Sequence, residues 1–275
     1  MIKRAIDILE ICSNLSTWQQ ALLATLFTWT MTGIGAAVVF LTREVNMKFL
    51  NSMLGFAGGV MIAASFWSLL SPAIEASMDH PIGEWFPPAV GFLLGGLFIF
   101  LFDKLIPHIH RNASNREGVN PERYRTSTLL VFSLTLHNIP EGLAIGIAFG
   151  AAIYGEMAVA AGALTLALGI GIQNIPEGMA VSMPLRGDGV SRTKSFFFGW
   201  MSAVVEPIFA VIGVLTVSFM EPVLPYALSL AAGAMIFVVI EEVIPSTQKN
   251  GHSDIAVFSF MIGFTLMMIL DVALG

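Results

Sequence analysis

Two related hexapeptides contain the residues of this chain that are best suited to chemistry. Residues 137–142 read His-Asn-Ile-Pro-Glu-Gly, and residues 173–178 read Gln-Asn-Ile-Pro-Glu-Gly. Each places a side chain that can bind a metal four residues before a glutamate, so both project from about the same face of a helix. Each also has a proline between them, which cannot donate a backbone hydrogen bond and frees a carbonyl one turn earlier. The pattern predicts a polar, ionisable site on two interrupted helices.

The composition places these hexapeptides in a membrane. The chain has 275 residues, of which 56% are hydrophobic and 12% charged, and its mean hydropathy is +0.80. Soluble domains are roughly a quarter charged. The net charge of -6 argues against a nucleic-acid partner, and the single cysteine, Cys12, excludes an internal disulfide framework and a thiolate metal cage.

Hydropathy predicts an all-α fold with eight membrane-spanning helices in one transmembrane domain, residues 1–275. Most of the apolar stretches exceed the ~20 residues that cross a bilayer, whereas barrel strands need only ~9–11 alternating residues. Residues 1–17 are expected to form a short extracytoplasmic segment rather than a signal peptide, because Asp7 and Glu10 interrupt it. The predicted spans are 18–42, 49–71, 86–102, 126–151, 157–183, 195–219, 223–244 and 255–274.

The basic residues predict the orientation of these spans. One set of alternate loops contains every lysine and arginine of the chain except Lys3 and Arg4. Since basic loops stay in the cytoplasm, both termini are expected outside it. The connection 104–125, between the third and fourth spans, is then a cytoplasmic loop.

Glycines recur at four-residue spacing on two of the spans. Gly142, Gly146 and Gly150 lie on the fourth span, and Gly91 and Gly95 on the third. Small residues at this spacing let helices approach closely in lipid. We therefore assign them to packing.

The interiors of the predicted spans contain several acids but no lysine or arginine. A glutamate at a span centre costs ~2.5–3.5 kcal/mol on insertion scales, so several of them need an explanation. Without a basic partner, a buried carboxylate is either protonated or faces a cation. A bound dication supplies such a partner. The acids are Glu141, Glu177, Glu206, Glu241 and Glu242, with Asp271 nearer a span end.

The ligand types around the hexapeptides narrow the identity of the cation. One imidazole among many oxygens suits Zn²⁺, Fe²⁺, Mn²⁺ or Cd²⁺ better than Cu⁺, and is too poor in nitrogen for a closed structural zinc site. Weak, replaceable ligands are what a carrier needs, so the residues predict a transporter of divalent metal ions. The proposed ligand atoms belong to His137, to the amides Asn138, Gln173 and Asn174, and to Glu141, Glu177 and Glu206.

The prolines predict where the helices are interrupted. Pro140 should free the carbonyl of Leu136, and Pro176 that of Ile172. Interrupted helices at mid-membrane are the usual place for substrate sites in carriers. Glu206 and Pro207 repeat the pairing of carboxylate and proline on the sixth span.

The paired hexapeptides resemble the signature of the ZIP family of zinc and iron transporters. The eight spans, the external termini and the long third-to-fourth loop are similar too, and Gln173 with the short loops resembles the prokaryotic GufA-like branch. The resemblance implies a two-metal centre between spans four, five and six, uptake into the cytoplasm, and elevator-like sliding of one helix bundle against another. Some relatives have aspartate where this chain has Asn174, so fewer charges would hold the second ion. By resemblance, His137, Glu141, Gln173, Glu177 and Glu206 hold one ion, and Asn138 and Asn174 help the shared glutamates hold the second.

The resemblance also suggests paths to and from this centre. His108 and His110 are equally well explained as solvated loop residues, and of Glu241 and Glu242 one is expected to face the exit and the other the interface. We expect Asp271 to pair locally near the outer surface. The entrance path would contain Met61, Ser68 and Glu75, and the exit path Asp103, His108, His110, Glu241 and Glu242.

Two other functions use similar residues. A membrane-embedded metal hydrolase needs about three strong ligands and an activated water, and a coupled carrier of an organic anion usually needs a base or a helix N-terminus for its substrate. For the metal carrier, zinc is expected as the transported substrate, without a resident cofactor, in a multi-pass protein of the cell membrane. A homodimer is expected from family behaviour only.

Overall fold

The computed structural model describes residues 15–41, 46–105, 108–109, 116–117, 126–152, 157–218, 221–248 and 253–274. Across these ranges the chain is helical, as predicted. The exception is an antiparallel pair of two-residue strands, β1 (His108–Ile109) and β2 (Arg116–Glu117), within the predicted cytoplasmic loop.

Each predicted span has a helical unit in its place. The first four are α1, Thr17–Ala36 with its continuation Val38–Leu41; α2, Met47–Ala64, the π-helical turn Ser65–Leu70 and Ser71–Glu75; α3, Phe86–Leu105; and α4, Thr126–Ala151. The others are α5, Met157–Gly187; α6, Arg192–Met201 and Val205–Ser218; α7, Glu221–Val223, Leu224–Val238, the π-helical turn Val239–Val243 and Ile244–Gln248; and α8, Ser253–Leu274.

Prolines account for both π-helical turns. The turn in α2 ends at Leu70, two residues before Pro72, and the Ser71 amide donates to the Phe66 carbonyl. The turn in α7 ends at Val243, two residues before Pro245, and the Ile244 amide donates to the Val239 carbonyl. A proline ring clashes with the carbonyl one turn earlier in a regular α-helix. A wider turn moves that carbonyl away, and such turns are frequent at functional sites.

The interruption predicted in α4 and α5 occurs in α6 instead. Both α4 and α5 continue through Pro140 and Pro176. The prediction of interrupted helices at these two prolines is therefore wrong. Neighbouring helices support the continuous form, since α6 packs along α4 and α1 packs along α5. The α6 helix instead breaks at residues 202–204, immediately before Glu206 and Pro207. Within this break the Glu206 amide donates to the Ala203 carbonyl at 3.1 Å.

The helices pack as two bundles. In the first, α1 packs on α5 and α4 on α6, with α1 also contacting α4 and α6. In the second, α2 packs on α8 and α3 on α7. The bundles meet where α2 contacts α5 and where α4 contacts α7. The α2–α5 seam is apolar, formed by Leu50 and Leu54 against Met179, Ala180 and Met183.

The outside of the bundles is apolar in the way a bilayer requires. Large hydrophobic side chains such as Leu93, Phe258 and Val272 are exposed by 66–72%. Five described helices are long and apolar enough to cross a membrane, and Phe86–Phe102 is a shorter apolar helix. These features are those of a multi-pass membrane protein, and the count of eight spans stays a prediction.

Glycines allow the closest helix contacts, as their spacing predicted. A Cβ atom at Gly146 would overlap the carbonyl oxygen of Ala210 on α6. One at Gly95 would overlap the carbonyl oxygen of Leu230 on α7. The α4–α6 and α3–α7 pairs therefore pack backbone against backbone.

Gly146→Ala tests this packing. We expect a destabilisation of about 1–3 kcal/mol, because the added methyl group must push α4 away from α6. The measurement is the midpoint of thermal unfolding in detergent. Gly162→Ala is the matched control, since a Cβ there meets nothing within 4 Å, and its midpoint should not fall. Equal midpoints for Gly146→Ala and the native chain would contradict the close contact.

Candidate metal centre

All seven side chains predicted to bind metal are buried in the first bundle. The exposed fraction is 0% for Glu141 and Glu206 and 9% for Glu177. The carboxylate of Glu141 interacts electrostatically with those of Glu177 and Glu206. The structure thus brings together acids from α4, α5 and α6. The other buried members are His137, Asn138, Gln173 and Asn174.

Amide groups of α5 hold two of these carboxylates. The side-chain nitrogen of Gln173 donates to Glu141 Oε1 at 2.7 Å. The side-chain nitrogen of Asn174 donates to Glu206 Oε1 at 2.9 Å and to the backbone oxygen of Thr28 at 3.2 Å. Adjacent residues of one hexapeptide therefore serve carboxylates on two different helices.

A threonine of α1 completes this arrangement and was missed by the sequence analysis. The hydroxyl of Thr28 donates to Glu206 Oε2. Thr25 and Thr32, one turn away on either side, are likewise buried and bond to backbone oxygens of their own helix. The signal available in the sequence was three threonines on one face of an otherwise apolar span.

Asn138 and Trp29 hold the break in α6. The side-chain nitrogen of Asn138 donates to the Ser202 carbonyl at 3.2 Å. The indole nitrogen of Trp29 donates to the Trp200 carbonyl at 2.8 Å, and the two rings stack with centroids 5.1 Å apart. Carbonyls freed by the break thus have donors, and the Glu206 backbone is fixed from both α1 and α4.

The glycine that ends each hexapeptide brings a neighbouring helix to the site. A Cβ at Gly142 would lie 2.5 Å from the Glu206 carbonyl oxygen, and one at Gly178 would overlap the Thr32 carbonyl oxygen on α1. Only a residue without a side chain lets α6 and α1 approach this closely. The hexapeptides therefore combine ligand, proline and contact positions.

Glu242 joins the centre from the other bundle. Its Oε2 lies 2.9 Å from His137 Nε2, and both side chains are buried. Glu177, His137 and Glu242 line a small cavity of about 20 Å³ together with Leu54 and Ser246. We assigned Glu242 to an exit path from sequence, whereas the structure places it against His137 at the boundary between the bundles.

Among the described residues, no three of the His, Cys, Asp and Glu side chains already converge as a metal site. Two of the acids, Glu141 and Glu206, instead accept hydrogen bonds from the amides and from the Thr28 hydroxyl. Three buried oxygens nevertheless have no hydrogen-bond partner: Glu141 Oε2, Gln173 Oε1 and Asn174 Oδ1. Such oxygens are rare in proteins and mark places where a ligand can bind.

The predicted entrance residues lie along α2 but differ in their surroundings. Met61 is buried in the core, and the Ser68 hydroxyl donates to Asp271 of α8 at 2.6 Å. Asp271 thus pairs with a neighbouring helix. Glu75 is exposed and lines an open cavity of about 620 Å³ with His80 and Tyr226. The π-helical turn lies between Met61 and Glu75 and rotates the helix face, so the seven-residue spacing does not place these residues on a single face.

The predicted exit residues are only partly described. Asp103 lies in the last turn of α3, and His108 pairs with Glu117 through β1 and β2, but their side chains are outside the described part of the structure. His110 lies outside the described residues. Glu241 is exposed and Glu242 is buried, and the assignment of one of them to an exit path stays a prediction.

The fold and the site define a class: a polytopic helical membrane protein with buried acids and amides between helices of one bundle. The profile of the ZIP zinc transporters matches residues 15–126 and 108–271. The chain belongs to the ZIP family, whose members are transporters rather than enzymes. The hydrolase interpretation is thereby set aside.

Named relatives cover nearly the whole chain. Human zinc transporter ZIP11 is 39% identical over 333 aligned positions, which include 93% of this chain and 97% of the human protein. Zinc transporter GufA of Myxococcus xanthus is 38% identical over 258, including 92% and 98%. Zinc transporter ZIPB of Bordetella bronchiseptica is 37% identical over 247, including 89% and 78%. The similarity to GufA inferred from Gln173 is confirmed.

Thr28→Val tests the hydrogen bonds that hold Glu206. Valine has the same shape but no donor, and leaving the buried Glu206 Oε2 without its donor costs about 1–3 kcal/mol. We expect a fall of that size in the stability of the detergent-solubilised protein, measured by thermal unfolding. Thr25→Val, which loses only a bond to its own helix backbone, should cost about 0.5–1.5 kcal/mol. Equal losses would show that the Thr28 hydroxyl does not hold Glu206.

Proposed function

We propose that this chain transports divalent metal ions, zinc above all, across the membrane into the cytoplasm. The centre formed by α4, α5 and α6 would hold the ion. The proposal is supported above all by the buried acids, three of which share one site while no lysine or arginine is buried in the described part of the chain. A cation is the partner that such a site favours. The relatives' names support zinc as that cation.

The ion would bind by exchanging with hydrogen bonds. Glu141 Oε1 and Glu206 Oε1 now accept hydrogen bonds from the amides of Gln173 and Asn174. A dication at these oxygens displaces the amide donors, which can turn their unpaired oxygens toward it. His137 would supply the imidazole, after separating from Glu242. Oxygen-rich ligands that are already satisfied without metal bind weakly enough to release the ion.

Two ions would share the acids of the centre. We infer a first position among His137, Glu141, Gln173, Glu177 and Glu206, and a second position near Asn138 and Asn174. Asn174 is neutral and already holds both Glu206 and the α1 backbone. The second position therefore has fewer charges and would bind its ion less tightly.

Sliding between the two bundles would carry the ion across. The α2–α5 seam contains aliphatic and methionine side chains, which contact one another without directional bonds and adapt to shifted positions. The centre itself lies in the first bundle, apart from Glu242. Movement of α1, α4, α5 and α6 as a unit would therefore move the ion relative to α2 and α7.

The basic loops support an orientation with both termini outside the cytoplasm. Introduced cysteines can test it in a Cys12→Ser background. Asp188→Cys, in the exposed α5–α6 loop, should resist a membrane-impermeant maleimide in intact cells and react after permeabilisation. Asp79→Cys, exposed on the opposite side, should react in intact cells. The reverse pattern would show that the chain is inserted the other way.

Uptake of radiolabelled Zn²⁺ into proteoliposomes tests transport directly. We expect native uptake and a loss beyond about 10–100-fold in Glu141→Gln, since changes to the hydrogen-bond partners of metal ligands already cost that much. Glutamine keeps the side-chain shape and removes the charge. Ser52→Ala, which loses a hydrogen bond between α2 and α8, serves as a control with unchanged uptake. Full activity of Glu141→Gln would remove this residue from the site, and no native uptake of Zn²⁺, Fe²⁺, Mn²⁺ or Cd²⁺ would overturn the function.

A further inference from the structure

A buried amide oxygen near the start of α2 has no role in the centre described above. Asn51 is 1% exposed. Its nitrogen lies 3.5 Å from the Thr247 carbonyl on α7, while its Oδ1 has no hydrogen-bond partner. An unpaired buried acceptor costs about 1–3 kcal/mol. An unpaired polar atom in a helix bundle therefore calls for an explanation, such as a bound ion.

The second observation is the position of Ser246. It lies one turn after Glu242 on α7, so the two share a face, and it lines the same small cavity as His137 and Glu177. Its side chain is 6% exposed. The cavity is therefore lined by the carboxylates of Glu177 and Glu242 and by a hydroxyl.

Helix register places Asn51 beyond Ser246. Leu54 lines the cavity, and Asn51 precedes it by three residues on the same face of α2. Asn51 also contacts Thr247, the residue after Ser246. The α2 helix begins at Met47 and α7 ends at Gln248, so both residues lie between the cavity and one surface of the bundle. Under the proposed orientation that surface is cytoplasmic.

We propose that Ser246 Oγ and Asn51 Oδ1 form a release step, at which the divalent ion leaving Glu242 is held briefly by neutral oxygens. The proposal rests on the proposed transport function and adds residues that the predicted exit path does not contain. Hydroxyl and amide oxygens are acceptable to hard and borderline dications. Because they carry no charge, they would hold the ion less tightly than Glu242 does. An ion can thus leave the carboxylates in steps instead of entering an apolar seam directly.

The path is closed in the present arrangement of the bundles. Leu54 belongs to the apolar cluster between α2 and α5, beside Leu50, Met179 and Met183. Asn51 follows Leu50 on α2, and its side-chain nitrogen faces the Thr247 carbonyl of α7. Sliding of α5 past α2 would uncover Leu54 and open a route from Ser246 to Asn51. The orphaned oxygen would then gain a partner only in the releasing state.

Asn51→Leu separates release from binding. Leucine has a similar size and no polar atom, so we expect the maximal rate of Zn²⁺ uptake into proteoliposomes to fall about tenfold, a change of about 1.4 kcal/mol in the barrier. Zn²⁺ affinity of the detergent-solubilised protein should stay within about twofold of native, because the ligands are untouched. Ser246→Ala should also lower the maximal uptake rate, by less than Asn51→Leu does, and leave the Zn²⁺ affinity close to native. Ser52→Ala, the next residue of α2, should change neither quantity.

Asn51→Asp distinguishes the loss of the side-chain oxygen from a general loss of stability at this position. It keeps an oxygen at the same place, so we expect it to transport faster than Asn51→Leu whatever its thermal stability. Native rates in Asn51→Leu would overturn the release step. Losses of affinity and rate that follow the unfolding midpoint across the three Asn51 and Ser246 variants would also overturn it. A native chain that neither binds nor transports Zn²⁺ would instead remove the proposed function itself.

Discussion

The buried acids of the first bundle need hydrogen-bond donors or a cation, and the surrounding structure supplies part of this need. Glu141 and Glu206 are fully buried, Glu177 nearly so, and no lysine or arginine is buried in the described part of the chain. Carboxylates in such surroundings need donors or a cation. Neutral donors supply part of this need: an amide for Glu141, and an amide with a hydroxyl for Glu206. Neutral donors can be displaced, whereas a buried arginine would compete permanently with the substrate.

This condition explains the local form of the helices. Donors from α1 and α5 reach Glu206 because the glycines that end the hexapeptides let α1 and α6 approach α5 and α4. The break in α6 orients Glu206, and Asn138 and Trp29 supply the donors that the broken helix needs. Prolines that would weaken an isolated helix lie inside α4 and α5, which stay helical through them and pack against α6 and α1. The chemistry of the site thus depends on backbone contacts as much as on ligands.

The boundary between the bundles combines apolar and polar contact. The seam of Leu50, Leu54, Met179 and Met183 has no directional bonds to break. The His137–Glu242 pair crosses the boundary next to the centre. In our proposal, an ion that binds His137 would have to separate this pair. Metal binding would therefore change a contact that joins the two bundles. That coupling is the physical basis on which our transport proposal and the release step both depend.

The sequence by itself determined the helical, membrane-embedded class and the family, and it singled out the buried candidate residues of α4, α5 and α6, because hydropathy, spacing and the paired hexapeptides are local properties of the chain. It also determined that the glycines serve packing. Only the tertiary structure decided that Thr28 holds Glu206, that Asn138 donates to the break in α6, and that Glu242 meets His137 while Glu241 faces outward. Each of these depends on which faces of distant helices meet. The π-helical turn before Pro245 shifts that face by one residue, and helical periodicity alone does not register such a shift.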